Sequence, residues 1–367
     1  MTSFNHARIS LLIVGAICTC GCSGAAYGEG EPSAGADTAR APVELTCAAS
    51  EEQLIDLGSL EPDVRYASSS AAALNEHGTV VGYSNKRVSP VLISIRAFRW
   101  KAATGMVELG TLGGDMSYAT DVNEWEQVAG TAQLPDENLH AVVWDAQGHI
   151  RDLGTLGGRG SFAYNINNRG QVVGVSDDAS GKLRPFIWEA TTGMVDLGLP
   201  QTDFAYLSGI NDFGVVVGTW VKSDDLAVPF KWTKQDGPSE LDLLGGTLGE
   251  ASAINNLEEI VGYVVVGNEG FGVKWTSCGA WRLARLPNRV QSFPEAINDR
   301  GLIVGHDSTD IQYVAVEWES TNRIAPLPLE SNPSYANDVD NCGDVVGSRQ
   351  MGNVSQAYLW HPKRQSQ

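Results

Sequence analysis

Ile166-Asn167-Asn168-Arg169-Gly170-Gln171-Val172-Val173-Gly174 reads as a tight turn followed by a strand. Asn and Gly accept the backbone angles such a turn needs, and the β-branched residues after it favour an extended chain. Leu74-Asn75-Glu76-His77-Gly78-Thr79-Val80-Val81-Gly82 and Ile297-Asn298-Asp299-Arg300-Gly301-Leu302-Ile303-Val304-Gly305 repeat the pattern. The polar residue opening the turn recurs at Asn75, Asn123, Asn167, Asn211, Asn255, Asn298 and Asp340, at intervals of 48, 44, 44, 44, 43 and 42 residues. A period of this size marks a repeat architecture. Seven copies run from about residue 51 to the end of the 367-residue chain.

Two further landmarks mark each unit. A Trp follows the turn, at Trp100, Trp144, Trp188, Trp232, Trp275, Trp318 and Trp360. Asp-Leu-Gly or a relative follows the Trp, intact at 56–58, 152–154 and 196–198 and decayed in the later units. Each unit divides into four short strands with no helix-length 3.6 pattern, which predicts an all-β, seven-bladed β-propeller of four-stranded blades. One Asp-Leu-Gly precedes the first turn, and only 361–367 follow the last Trp. Residues 53–60 are therefore expected to supply the outer strand of the last blade, closing the ring and hiding its strand edges. That places Cys47 near the last unit, which carries Cys342, and makes a Cys47–Cys342 disulfide the preferred pairing. Cys278 is the third cysteine beyond the leader, so one of the three is expected to be left over.

The first residues have the form of an export signal: a short basic start, the apolar stretch 9–17, then small residues. Residues 1–21 resemble a bacterial lipoprotein signal, which implies lipidation of Cys22; Thr19 stands where such signals carry an aliphatic residue. The alternative is ordinary cleavage after Ala26. Residues 22–50 lack hydrophobic periodicity and are expected to be a flexible tether, with the propeller spanning 51–367. The expected location is an outer-membrane or cell-surface lipoprotein, or a secreted protein if cleavage falls after Ala26, with membrane contact only through the lipid anchor. A net charge of −19 repels phosphate backbones, so nucleic acid is not an expected partner.

Arg96-Ala97-Phe98-Arg99-Trp100, His140-Ala141-Val142-Val143-Trp144 and the linker Leu109-Gly110-Thr111-Leu112-Gly113-Gly114 resemble HAF repeats, named for a His-Ala-Phe triplet and found in probable extracellular bacterial proteins. The likeness is strong in the first three units and loose in the last three; Gly-Thr-Leu-Gly-Gly is intact only at 110–114 and 154–158. It implies an exported propeller-like repeat protein and supplies no catalytic residues to transfer.

The Asn series is expected to hold its turns by bonding nearby backbone, and the Trp series to pack between blades. Tyr118, Phe162, Tyr206, Phe293 and Tyr335 stand five residues before the turn residue. Core packing is the first expectation for them, an aromatic ring at the channel mouth the alternative. The loops between second and third strands vary where the Asn turns do not, so they are the expected binding face. Their carboxylates, Asp136, Glu137, Asp177, Asp178, Asp224, Asp225, Asp307 and Asp310, suit a basic partner or Ca²⁺, although no loop has the alternating ligand spacing of a dedicated calcium site. No other metal or cofactor is expected. The six His form no ligand pair, and no nucleophile elbow or phosphate loop occurs. The expected function is thus a non-catalytic extracytoplasmic binding or scaffold protein with a protein or carbohydrate partner at the cell surface. The alternative is a propeller lyase or hydrolase acting on a secreted or sugar substrate at the channel mouth.

Overall fold

The structure, a computed structural model, describes residues 47, 51–89, 92–200, 204–222, 226–309, 312–329 and 333–364. The leader 1–21, Cys22, Ala26 and nearly all of the tether lie outside the described residues, as do Asp224, Asp225 and Asp310. Among the described residues, no helix is long and apolar enough to cross a membrane.

The described chain forms 28 strands, numbered β1–β28 in order. In each unit the first strand runs into the Asn turn, and the next strands return antiparallel beside it. β2 (Ser69–Leu74), β3 (Val80–Ser89), β4 (Leu92–Lys101) and β5 (Gly105–Glu108) make the first such sheet. The expectation of seven four-stranded blades is corrected here: the structure has five, not seven. The remaining strands form one eight-stranded sheet, in the order β18 (Leu248–Ile254), β19 (Ile260–Val266), β20 (Glu269–Thr276), β22 (Gln291–Ile297), β23 (Ile303–Ser308), β24 (Tyr313–Ser320), β25 (Arg323–Pro326), with β21 (Gly279–Arg282) on β20. β20 (Glu269–Thr276) joins β22 (Gln291–Ile297) through a single parallel pairing, Gly270 with Gln291. The local cause is an uncovered edge: β21 pairs with β20 only over Val273–Thr276, which leaves the backbone at Gly270 open to Gln291 of the next unit.

β1 (Gln53–Asp56) pairs antiparallel with β28 (Val354–His361), so the N-terminal strand completes the sheet of β26 (Ser334–Val339) and β27 (Val345–Met351). Cys47 is disulfide-bonded to Cys342 across 295 residues of sequence. Cys278 is disulfide-bonded as well, so it is not the free thiol that the odd count implied.

The core lies between neighbouring units. Each unit buries its Trp, from 0% exposure at Trp144 and Trp318 to 8% at Trp232. Trp144 packs with Ala73, Val81 and Ala97 of the preceding unit, and its indole N–H donates to the Gly110 carbonyl at 3.2 Å. Trp232, Trp275 and Trp318 reach back in the same way to Leu197, Asp242 and Ala284.

Two belts of hydrogen bonds run round the ring at the Asn turns, and the second of them closes. Asn211 Oδ1 accepts from the N–H groups of Phe213 and Val215, both at 3.0 Å, which holds its own turn. Its Nδ2 donates to the Asn255 carbonyl at 3.2 Å, which ties it to the next unit. The same link runs from Asn75 through to Asp340. The second belt uses the following residue. The backbone N–H groups of Glu76, Glu124, Asn168, Asp212, Asn256, Asp299 and Asn341 each donate to the side-chain oxygen of the next member, and Asn341 closes the circle onto Glu76 at 2.9 Å.

One glycine position is dictated by contact rather than by a turn. Gly82, Gly130, Gly174, Gly218, Gly262, Gly305 and Gly347 lie where an added Cβ would stand 1.9–2.1 Å from a carbonyl oxygen of the first strand. The first strand bulges three residues before the turn-opening residue in every unit, and this close approach is where the bulge begins.

Candidate functional site at the channel mouth

The first strands surround the central channel. Between their bulges and the Asn turns lies a cavity of about 200 Å³, lined in part by Thr120, Asp121, Asn165, Glu295, Asn337 and Asp338. Asp121 accepts from the N–H groups of Val122 and Ile166 at 2.7 and 2.8 Å, and Asp338 from those of Val339 and Leu74 at 2.8 and 3.0 Å. Each therefore staples one unit to the next. Burial nevertheless raises their pKa values to about 6 for Asp121 and about 8 for Asp338. The charge of Asp121 raises Asp338 further, since like charges in a confined space disfavour ionisation.

The aromatic residues lie at the opposite end of the same strands, toward the variable loops. They are not core residues: Tyr206 is 50% exposed and Tyr118, Phe162, Phe293 and Tyr335 are half-buried. The first expectation for them is therefore corrected, because the channel gives this strand position open space. In two units the position holds another residue, Ser70 or Glu250. There the partner directly across the strand pair is aromatic: Ser70 faces Tyr83, and Glu250 faces Tyr263. Residues directly opposite on an antiparallel pair share a face. Each of the seven units thus contributes at least one aromatic side chain to this layer.

Ring contacts link neighbouring units. Tyr83 meets Tyr118 with centroids 5.7 Å apart, and Tyr263 meets Phe293 at 5.0 Å, both edge-on. His306 stacks on Phe293 at 5.0 Å and meets Tyr335 at 5.2 Å, while Tyr313 lies 5.5 Å from Tyr335. The densest sector is therefore Tyr263, Phe293, His306, Tyr313 and Tyr335.

Two carboxylates enter that sector. Glu295 Oε1 lies 3.5 Å from His306 Nδ1, and Glu250 stands across from Tyr263. Burial, and then the charge of Glu250, raises the Glu295 pKa to about 7, although 39% of its side chain still meets water in the channel. Burial lowers the His306 pKa to about 4, so the imidazole is neutral at pH 7. Burial together with Glu250 pushes the Tyr263 phenol well above its usual range. This set combines flat apolar faces, a neutral imidazole and carboxyl groups, which is chemistry for stacking and for proton transfer. Tyr83, Tyr263, His306, Tyr313, Glu250 and Glu295 were missed in the sequence. The visible signal was strand register: Tyr83, Tyr263 and His306 each directly follow the glycine that recurs in every unit.

The loop carboxylates do not converge in this way. Asp136 accepts from the Asn138 N–H and Nδ2, and Asp178 from Ser180 and the Lys182 N–H, so each is used within its own loop. Glu137 is exposed, and Asp177 receives the Gly160 N–H at 3.2 Å. Asp307 is corrected as a face residue: it is fully buried in β23 (Ile303–Ser308), accepting from Ser292 Oγ and from the Leu286 N–H at 2.6 Å. Among the described residues, one group has metal-ligand proximity, Glu76, Asp340 and Cys342. The Cys342 sulfur is committed to the disulfide, which leaves two carboxylates and no built metal site.

No protein-family model matches the sequence, and no curated protein matches it. Solved structures match in fold. Virginiamycin B lyase from Staphylococcus aureus is 11% identical with a TM-score of 0.57, over 85% of this chain and 99% of that one. The β-propeller domain of the Trilobed protease from Pyrococcus furiosus is 10% identical with a TM-score of 0.56, over 80% and 95%. An acylaminoacyl peptidase from Pyrococcus horikoshii is 11% identical with a TM-score of 0.58, over 84% of this chain and 54% of that one. The class of this protein is accordingly the all-β propeller. At such identities the likeness carries the fold and no activity.

Proposed function

We propose that this protein is a non-catalytic extracytoplasmic binding protein whose ligand sits on the variable-loop face, over the aromatic mouth of the channel. The observation that carries the proposal is the layer of at least one aromatic side chain per unit, half-buried or exposed at a single level of the channel. Exposed aromatic faces in a concave site are poorly solvated, and they stack on sugar rings or other flat apolar groups. Export is part of the proposal, through a lipid anchor on Cys22 or by cleavage after Ala26. The Cys47–Cys342 disulfide supports an oxidising compartment, and the resemblance to HAF repeats points the same way. The partner is a carbohydrate or a surface protein presenting such a group.

Saturation-transfer NMR on the full chain with a panel of saccharides and small aromatic ligands tests this. Binding that falls at least tenfold in Tyr206→Ala and Tyr335→Ala, with unchanged melting, is the expected result. Binding untouched by both variants would move the ligand away from the mouth.

A second reading, an enzyme at the same mouth, is favoured by the contact between Glu295, whose pKa is raised to about 7, and the neutral His306. The same NMR samples separate the two. A ligand that stays chemically unchanged over days supports binding, and one that is converted supports catalysis.

A further inference from the structure

The sector of units five to seven has a charge problem that a particular class of ligand would solve. Glu295 and Glu250 enter the same aromatic enclosure. The ion-pair partner of Glu295 among the described residues is His306, at 3.5 Å. That imidazole is mostly buried, and its Nδ1 has no hydrogen-bond partner. No salt bridge among the described residues involves Glu250, which is exposed. The other titratable groups facing Glu295 are Tyr263 on β19 (Ile260–Val266), Tyr335 on β26, and Asp121 and Asp338 farther along the channel. None is a cation. The aromatic rings present π-faces, whose negative quadrupole attracts positive charge. A compact organic cation would satisfy both features, with its charge beside the carboxylates and its alkyl surface against the rings.

Resting on the proposal that the mouth binds a ligand, we infer that the enclosure formed by Tyr263, Phe293, Tyr313 and Tyr335 with Glu250 and Glu295 is a site for an organic ammonium group, such as a quaternary amine or a basic peptide side chain. A metal ion fits less well, because the rings occupy the positions where oxygen ligands would be required. A purely apolar ligand would cover the carboxylates without pairing them, which is costly.

Choline and its uncharged isostere 3,3-dimethylbutan-1-ol separate charge from shape. Isothermal titration of the full chain at pH 7.5 should show choline binding at least tenfold more tightly than the isostere. Glu295→Gln should remove that tenfold preference, and Tyr335→Ala should weaken both probes, with melting curves confirming that the variants fold. A second readout is independent of any folding defect. Binding a cation requires Glu295 to be ionised, so titrations at pH 6.5 in two buffers of different ionisation enthalpy should reveal release of a fraction of a proton per choline bound, absent in Glu295→Gln. Equal affinity for the two probes, or no proton release, overturns the inference. A saccharide bound at the mouth without choline overturns the inference and leaves the binding proposal standing. If no ligand in either panel binds there, both fall.

Discussion

Replacing Asp340 by Asn should stabilise the protein, and by more in base than in acid. Six of the seven turn-opening residues are Asn, and each sends Nδ2 to the next unit's carbonyl. Asp340 has no amide N–H to send to Asn75, and its carboxylate is only 7% exposed. Burial, and then the charge of Glu76, raises its pKa from 3.8 to about 7. Such a carboxyl keeps its proton to a higher pH folded than unfolded. Its effect on stability is therefore absent below about pH 4, grows unfavourable as pH rises to about 7, and is constant above. Roughly three pH units at about 1.4 kcal/mol each set a ceiling of about 4 kcal/mol. The new amide adds a hydrogen bond to the Asn75 carbonyl, about 1 kcal/mol. His361 and Arg364, which lose a neighbouring charge, keep Asp344 as their ion-pair partner. Urea denaturation should thus give a gain of about 2–4 kcal/mol at pH 8 that shrinks towards the hydrogen-bond contribution of about 1 kcal/mol at pH 4. A variant no more stable than its parent at pH 8, or one whose gain does not shrink in acid, refutes both the belt argument and the buried charge.

Other consequences follow from the same geometry. Gly218→Ala places a Cβ 2.0 Å from the Tyr206 carbonyl oxygen and should cost about 3 kcal/mol or more by denaturant midpoint. Gly198→Ala, with φ +78° but open space around it, should cost only about 1 kcal/mol. Glu258 holds φ 59° at the turn position that Gly occupies in five other units, so Glu258→Gly should raise stability by about 1 kcal/mol. Removing the disulfide with Cys342→Ser should cost about 2–4 kcal/mol, because the bond closes almost the whole chain into one loop. An unchanged melting temperature in that variant would show that β1 pairing alone secures the seam.

The parts legible in the sequence were those set by short-range chemistry. A turn needs Asn and Gly at fixed offsets, so the turns and the repeat period could be read from residue identity alone. The closing strand followed from counting landmarks at the two ends. The merged sheet could not be read, since it depends on one backbone pairing at Gly270 after an irregular linker. Asp307 was misplaced for a different reason. It occupies the strand position that holds Ser84 and Ser176 in other units, and does their work: Ser84 and Ser176 accept the linker N–H groups of Leu60 and Leu156 as Asp307 accepts that of Leu286. Counting from the turn residue would have put it inside the sheet. A scan for acidic loops saw only its charge.

The two ends of the channel show why one is structure and the other is the site. At the Asn turns, every member of the second belt has a side-chain oxygen taken by the neighbouring backbone N–H, including the carboxylates of Glu76, Glu124, Asp212 and Asp299. One oxygen of each carboxylate there is engaged by the fold itself. At the aromatic layer the balance is reversed. The rings are half-exposed, burial and the charge of Glu250 raise the Glu295 pKa to about 7, and His306 stays neutral beside it. Groups left unsatisfied by the fold in a concave, partly dry place are the ones a ligand can complete. The acidic residues most conspicuous in the sequence are largely spent on turns and staples, whereas Glu250 and Glu295, which carry no motif, retain unspent chemistry.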